Sequence, residues 1–263
     1  MHNTARTYLT LVWQLFRRDV RLRYTGTLLG GLWLIAQPLF MLLVYTLVFG
    51  EILAVRFPAV TSQTGDHPVA LTLFAGLMLF NALAEVLTRA PSVLLEQRDL
   101  LMNTPLPASI LPLLPVATSL LLELLSVALL CGWLMATGQW HAQGLMYYPL
   151  VLITRLLLAL AGSYTLAILG VFLRDLRQLM PPLMTVLLLV SPIVYPLTQV
   201  PERWQSWFWW NPLTHLVQAY RDALLGGQVA VMNCMALMVI AGMLCALAIL
   251  LFQRLMPRAR YVL

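Results

Sequence analysis

Long runs of apolar residues, separated by short polar links, constrain the fold of this chain more than any other feature. Six such runs lie at about 28–49, 69–87, 110–135, 145–173, 180–196 and 229–252. A transmembrane helix needs about 20 mostly apolar residues. Of the 263 residues, 61% are hydrophobic and 10% are charged, which leaves too few polar side chains to cover a soluble domain. The pattern predicts an all-α, polytopic membrane protein with six transmembrane helices.

The fifth run is short, and it is followed by a tryptophan-rich stretch and a second short apolar piece at about 213–225. Neither piece is long enough to cross a bilayer by itself. Interrupted helices are tolerated at membrane depth where they pack against protein. We therefore predict a re-entrant helical hairpin between helices 5 and 6, which enters the membrane from its outer face.

The first 27 residues have a different pattern from the rest. Tyr8, Leu11, Val12, Leu15 and Phe16 recur at helical spacing, and arginines follow them at once. This spacing predicts an amphipathic helix on the cytoplasmic face of the membrane, with the docking of a partner protein as the alternative to lipid anchoring. The chain therefore divides into an interface helix at 1–27 and a transmembrane domain at 28–263.

All 16 basic residues are arginine, and the sequence contains no lysine. The phosphate-binding loop of an ATPase, GxxxxGK[ST], requires a lysine, so this chain cannot itself be an ATPase of that kind. Twelve arginines fall on one side of the membrane if six helices cross it, and this excess places both termini in the cytoplasm. The twelve are Arg6, Arg17, Arg18, Arg21, Arg23, Arg89, Arg98, Arg174, Arg177, Arg254, Arg258 and Arg260. Because they lie between apolar runs, we expect them to contact membrane lipids and not nucleic acid.

Several short motifs, in order along the chain, resemble those of polysaccharide-exporting ABC transporter permeases of the type-2 exporter class. They are FRRDVRLRY at 16–24, LLGGLW at 28–33, QPL at 37–39, FLRD at 172–175, SPIVYP at 191–196 and NPLTH at 211–215. The resemblance implies a homodimer in the bacterial inner membrane, with two copies of a separate ATPase subunit and a lipid-linked polysaccharide as substrate. It also implies that the re-entrant hairpin is periplasmic.

We interpret the chain as the membrane subunit of an exporter of undecaprenyl-linked polysaccharide, with O-antigen as the first choice of substrate. Capsule polysaccharide, lipo-oligosaccharide or a drug would be the cargo of related permeases. A membrane acyltransferase is the unrelated alternative, and a channel without an ATPase is a further one. The four histidines are scattered, and no catalytic, cofactor or metal-ligand motif is present. We therefore expect no enzymatic activity, no cofactor and no metal.

The link between the second and third apolar runs resembles the coupling helix that such permeases place against their ATPase. We assign this role to Glu96, Gln97, Arg98 and Asp99, where charges set the register and neighbouring leucines are buried. An ordinary solvated loop is the alternative. Arginine binds phosphate groups well, so Arg17, Arg18, Arg21 and Arg23 are candidates for contacts with the substrate headgroup or a partner. Anionic lipids are the alternative ligands for these four side chains.

Two charged residues fall deep inside apolar runs, at comparable distances from the cytoplasmic side, whereas Glu85 lies near the inner end of its run. Because an unpaired charge in hydrocarbon is costly, we predict that Glu123 and Arg155 form an intramembrane ion pair, with a position along the pore as the alternative.

Two groups of aromatic residues are candidates for contacts with sugar rings. Trp33, Phe40 and Tyr45 are assigned to the translocation path, with helix packing as the alternative. The aromatics of the re-entrant segment form the second group, with an interfacial aromatic belt as the alternative. These are Trp204, Trp207, Trp209 and Trp210.

Overall fold

The computed structural model describes residues 2–48, 69–103, 107–139, 142–195 and 201–262. Within these ranges all regular structure is helical, which confirms the predicted all-α class. The helices are α1 His2–Tyr24, α2 Trp33–Tyr45, α3 Val69–Arg89, α4 Val93–Glu96, α5 Arg98–Asn103, α6 Leu113–Ala136, α7 Ala142–Leu145, α8 Tyr148–Phe172, α9 Leu176–Val190, α10 Glu202–Trp210, α11 Pro212–Leu225 and α12 Val231–Ala259.

Five helical stretches of the described chain are long and apolar enough to cross a membrane. They are Gly30–Val48, Ala70–Glu96, Ala108–Ala136, Tyr148–Phe172 and Val231–Ala259. A sixth apolar helix, α9, has 15 residues and completes the polytopic arrangement.

The boundaries of α9 differ from the predicted run at 180–196. The helix begins at Leu176, so Pro181 and Pro182 lie inside it. They are the sixth and seventh residues of the helix, and each removes one i→i−4 hydrogen bond from its second turn. The helix ends at Val190 because Ser191, which precedes Pro192, adopts an extended conformation with φ −101° and ψ 141°.

Two apolar clusters define the two ends of the helix bundle. The cluster at the end that carries both chain termini, called the terminal end here, joins α1, α4, α8 and α12. It includes Leu15, Leu94, Leu111, Val171 and Ala259. The cluster at the far end joins α3, α6, α8 and α11, and it includes Phe74, Leu130, Tyr148, Ile193 and Tyr220. α6 and α8 contribute residues to both clusters, and α3 contributes to the far-end cluster and to the contacts between the two clusters. These three helices therefore hold the two ends together.

The pair α10–α11 enters the bundle from the far end and returns to it. Leu213, at the start of α11, packs between the two ends against Leu83, Val86 and Val116. Asn211 makes the turn, since its side chain accepts a hydrogen bond from the N–H of Leu213 at 3.0 Å. After α11 the chain leaves through Gly226, whose φ of 80° requires glycine. The pair therefore has the re-entrant form that the two short apolar pieces predicted.

Arg221 on α11 fastens the turn that follows α9. Its guanidinium donates to the carbonyl oxygens of Thr72 at 3.1 Å, Pro192 at 3.3 Å and Ile193 at 2.6 Å. Gly76 makes room for this group, because a Cβ at that position would lie 2.7 Å from Arg221 Nη2. The arginine therefore satisfies carbonyl groups that have no helical partner where α9 has ended, and it joins that turn to α3.

Close backbone contact sets the position of α8 near the terminal end. A Cβ on Gly170 would lie 2.1 Å from the carbonyl oxygen of Pro91, in the 3₁₀ turn that follows α3. The obstacle is backbone and cannot rotate away. At Gly162, by contrast, a Cβ would meet the end of the Leu87 side chain at 2.3 Å, which can move.

Replacing Gly170 with alanine is expected to separate α8 from the end of α3. We expect Gly170→Ala to lower the free energy of unfolding by about 3 kcal/mol, the upper part of the usual range for overpacking. Thermal unfolding of the detergent-purified protein measures the change. Gly132→Ala is the matched control, because nothing lies within 4 Å of a Cβ there. Equal melting temperatures for Gly170→Ala and Gly132→Ala would contradict the close contact.

Candidate coupling surface and membrane path

The segment α4–α5 at the terminal end turns leucines inward and charges outward. Leu94 is fully buried, and Leu95, Leu100 and Leu101 pack on the terminal-end cluster. Glu96, Arg98 and Asp99 are exposed. Gln97 separates the two short helices with φ −104° and ψ 21°. The arrangement presents a compact charged surface on a firmly packed base, as a coupling helix requires, and the assignment of that role stays a prediction.

The four arginines predicted to contact a headgroup or partner divide into two pairs. Arg18 Nη2 donates to Gln97 Oε1 at 2.5 Å, and Arg23 forms an ion pair with Glu85. The side chains of Arg17 and Arg21 are exposed. Arg18 and Arg23 therefore attach α1 to the bundle, whereas Arg17 and Arg21 are exposed on its outer side.

Asp19, Glu85 and Arg89 also belong to the attachment of α1, and sequence reasoning missed their role. Arg89 Nη2 lies 2.7 Å from Asp19 Oδ1, and Thr118 Oγ1 donates to Asp19 Oδ2 at 2.8 Å. A signal was present in the sequence. Asp19 and Arg23 are four residues apart, as are Glu85 and Arg89, so two antiparallel helices can pair both sets at once.

Glu123 and Arg155 lie side by side inside the bundle, between α6 and α8. Arg155 Nε is 3.2 Å from Glu123 Oε2, and both side chains are completely buried. Arg155 Nη2 also donates to Ser119 Oγ at 2.8 Å. The rings of Tyr148 and Tyr220 pack edge to face beside this pair, with centroids 5.8 Å apart. Such burial fits a structural ion pair better than a position on an open path.

The three aromatic residues assigned to the path do not share one face. Trp33 and Phe40 are seven residues apart on one side of the helical stretch, with 40% and 61% of their surface exposed. Tyr45 instead packs against the far-end cluster. Trp33 and Phe40 are therefore placed to contact a partner, a substrate or lipid, whereas Tyr45 is placed for helix packing.

The tryptophans of the re-entrant pair lie in two environments. Trp204 and Trp207 line a pocket of about 550 Å³ together with Tyr195, Phe208 and the end of α9. Trp209 packs against the ring of His215, and Trp210, which is 89% exposed, lies beside the turn at Asn211. Two of the four rings therefore share one pocket, and the choice between contacts with sugar rings and an interfacial belt stays open.

Other polar side chains within the described ranges, such as those of Arg221 and His215, make contacts that hold the fold together. Arg221 is enclosed by backbone carbonyls. His215 contacts the carbonyl oxygen of Trp209 at 2.8 Å. The described part of the chain contains no group of three histidine, cysteine or acidic residues that could hold a metal ion.

Removing one member of the buried ion pair is expected to cost more than removing both. We expect Glu123→Leu or Arg155→Met alone to lower the free energy of unfolding by about 3–5 kcal/mol, because an uncompensated charge stays buried. The double variant Glu123→Leu/Arg155→Met should recover most of this loss. Thermal unfolding in detergent and the amount of chain in the membrane fraction measure both effects. Additive losses in the double variant would show that the two groups are energetically independent.

Comparison with known proteins places this arrangement in a family. Residues 10–225 match the family described as ABC-2 type transporter. The chain is 30% identical over 216 residues to the O-antigen export system permease protein RfbA of Myxococcus xanthus, covering 81% of this chain and 80% of that protein. It is 24% identical over 211 residues to the protein of the same name from Klebsiella pneumoniae, covering 80% and 78%. It is 27% identical over 224 residues to the polysialic acid transport protein KpsM of Escherichia coli, covering 82% and 81%.

The family match extends from α1 to α11 and includes the segment α4–α5 and the re-entrant pair. They confirm the resemblance that the short motifs indicated. The chain belongs to the ABC-2 type transporter family.

Proposed function

We propose that this chain is the membrane-spanning subunit of an ABC exporter that moves an undecaprenyl-linked polysaccharide outward across the bacterial inner membrane. The observation that carries the proposal is the alignment with an O-antigen export permease over about four fifths of both chains. O-antigen is therefore the first substrate. Capsule polysaccharide is the second candidate, because the polysialic acid transport protein aligns over a similar share of the chain.

ATP hydrolysis belongs to a separate subunit in this proposal. The chain has no lysine for a phosphate-binding loop. The exposed charges Glu96, Arg98 and Asp99 on a packed leucine base form the surface against which that ATPase docks. ATP binding closes the ATPase pair, and the rigid segment α4–α5 passes the displacement to the membrane helices.

The terminal end faces the cytoplasm. Arg17, Arg21, Arg98, Arg174 and Arg258 are exposed on helices or turns of the described chain that reach this end. A surplus of arginine at one end of a helix bundle is typical of the cytoplasmic side. The same side has to carry the coupling segment if it is to meet an ATPase, so the two arguments agree.

The active exporter is a homodimer whose contact includes α2 and α9. Most large side chains of α2 are exposed, and α9 exposes a stripe at helical spacing. That stripe consists of Leu179, Leu183, Val186 and Val190. A second copy and lipid both suit such apolar surfaces. The dimer is favoured because Trp33 and Phe40 are bulky, exposed rings on a helix that packs little against its own chain.

The aromatic rings supply contacts along the route of the polysaccharide. Sugar rings stack on aromatic faces through their C–H surfaces, which permits sliding without tight binding. Trp204 and Trp207 offer such faces in the pocket beside α9, and Trp33 and Phe40 offer them on α2. Arg17 and Arg21 are exposed at the cytoplasmic end, where they can attract the diphosphate of the lipid carrier.

The proposal predicts a stoichiometric ATPase partner whose hydrolysis depends on the coupling segment. Purification from the native host through a tag on the chain should recover a protein with a phosphate-binding loop. In the purified complex, Glu96→Ala and Arg98→Ala should preserve hydrolysis but lower export of the polysaccharide by about tenfold, since coupling energies typically correspond to factors of 5–150. Asn233→Ala, an exposed change at the far end, is the control and should leave both unchanged.

Recovery of the chain without any ATPase would overturn the exporter and favour a membrane enzyme or a channel. Analysis of surface glycans in a strain that lacks the chain separates the two substrates. Loss of O-antigen with normal capsule supports the first substrate, and the reverse supports the second.

A further inference from the structure

Three polar contacts join α1 to the continuous helical stretch Ala70–Glu96, called the rod here, and to Gln97 at its end. Arg18 pairs with Gln97, Asp19 with Arg89, and Arg23 with Glu85. We call these three contacts the polar ladder. Their order is antiparallel, because successive positions along α1 meet earlier and earlier positions on the rod. A single contact would act as a pivot, whereas three contacts spread over more than one helical turn fix the angle between α1 and the rod.

An apolar stripe on the same side of α1 continues the ladder. Leu15 is buried in the terminal-end cluster, and Val12 and Phe16 pack against it. The other side of α1 exposes Trp13, which is 59% accessible, together with the exposed Arg17. The helix is therefore attached to its own chain by one face and leaves the other face for the membrane surface.

Additional contacts link members of the polar ladder to one another and to α6, and the carboxylates of the ladder are partly buried. Glu85 Oε1 also lies 3.7 Å from Arg89 Nη1, and Asp19 accepts a hydrogen bond from Thr118 on α6. The side chains of Asp19 and Glu85 are 20% and 14% exposed. Partial burial of the carboxylates reduces screening, so these pairs hold more firmly than fully exposed ones.

The chain after the ladder leads directly into the first membrane helix. α1 ends at Tyr24, and the 3₁₀ turn that begins the next helical stretch starts at Gly30. Along α2 itself, Leu42 is buried, whereas Ile35, Leu39 and Leu43 are exposed. α2 therefore has little packing of its own to resist a pull from α1, and the short link passes on any displacement of α1.

We propose that the polar ladder makes α1 the link through which displacement of the coupling segment reaches α2. Asp19, Arg23, Glu85 and Arg89 are positioning residues for export in this mechanism. They touch neither nucleotide nor substrate. The inference rests on the proposed exporter function, and it adds a defined route from the ATPase surface to one membrane helix.

The test compares hydrolysis and export in the purified complex of this chain with its ATPase, reconstituted in lipid vesicles with the lipid-linked polysaccharide. Asp19→Arg and Arg89→Asp each place like charges in contact. Each should lower the amount exported per ATP hydrolysed by about fivefold or more, while hydrolysis continues. The double variant Asp19→Arg/Arg89→Asp restores opposite charges and should restore most of the export per ATP. Arg254→Asp reverses an exposed charge on α12, to which no role in binding or coupling is assigned, and is the matched control.

A milder variant guards against failure of the charge reversals to fold. Arg18→Gln removes one charged contact at an exposed position and should lower export per ATP in the same sense, by a smaller factor. Parallel loss of hydrolysis and export in every ladder variant, or no recovery in the double variant, would show that the ladder only stabilises the fold. An unmodified chain that neither binds an ATPase nor exports would overturn the proposed function itself. A working exporter with unchanged export per ATP in all ladder variants would overturn this inference alone.

Discussion

The need to satisfy every backbone carbonyl away from water governs the far end of this structure. In hydrocarbon an unpaired peptide group costs several kcal/mol, so a chain that interrupts its helices there has to bring its own donors. Arg221 supplies them. A guanidinium has five N–H donors in a planar group, and this one reaches carbonyls on both α3 and the turn after α9. The short α9, the turn at Pro192 and the re-entrant pair all depend on that side chain, and Gly76 gives it space.

The same requirement explains why the few charges inside the bundle occur in groups. Glu123 neutralises Arg155, and Ser119 takes one further donor of the arginine. At the terminal end, Asp19 meets both Arg89 and Thr118. Polar contacts at the two ends therefore have different characters. Those at the far end are buried and hold the chain in one arrangement, whereas those at the terminal end are partly accessible to solvent.

The sequence predicted those features of the structure that depend on patterns of neighbouring residues. Apolar runs of about 20 residues gave the membrane helices, and the comparable depths of Glu123 and Arg155 in their runs indicated that they lie close together. The start of α9 was misplaced by four residues, because the polar residues Arg177 and Gln178 precede the apolar run but belong to the helix. The role of Arg221 could not be predicted, since its acceptors are backbone atoms that lie about 30 and 150 positions earlier in the chain. A contact between a side chain and distant backbone atoms produces no pattern of residue types that could be recognised in the sequence.

The re-entrant pair has a consequence for the topology of the chain. Because α10 enters and α11 leaves at the same end of the bundle, the two helices together add no net crossing of the membrane. The number of crossings therefore does not depend on the length of this insertion. Insertions or deletions in this segment can therefore accumulate without inverting the sidedness of α12, the helix that follows it.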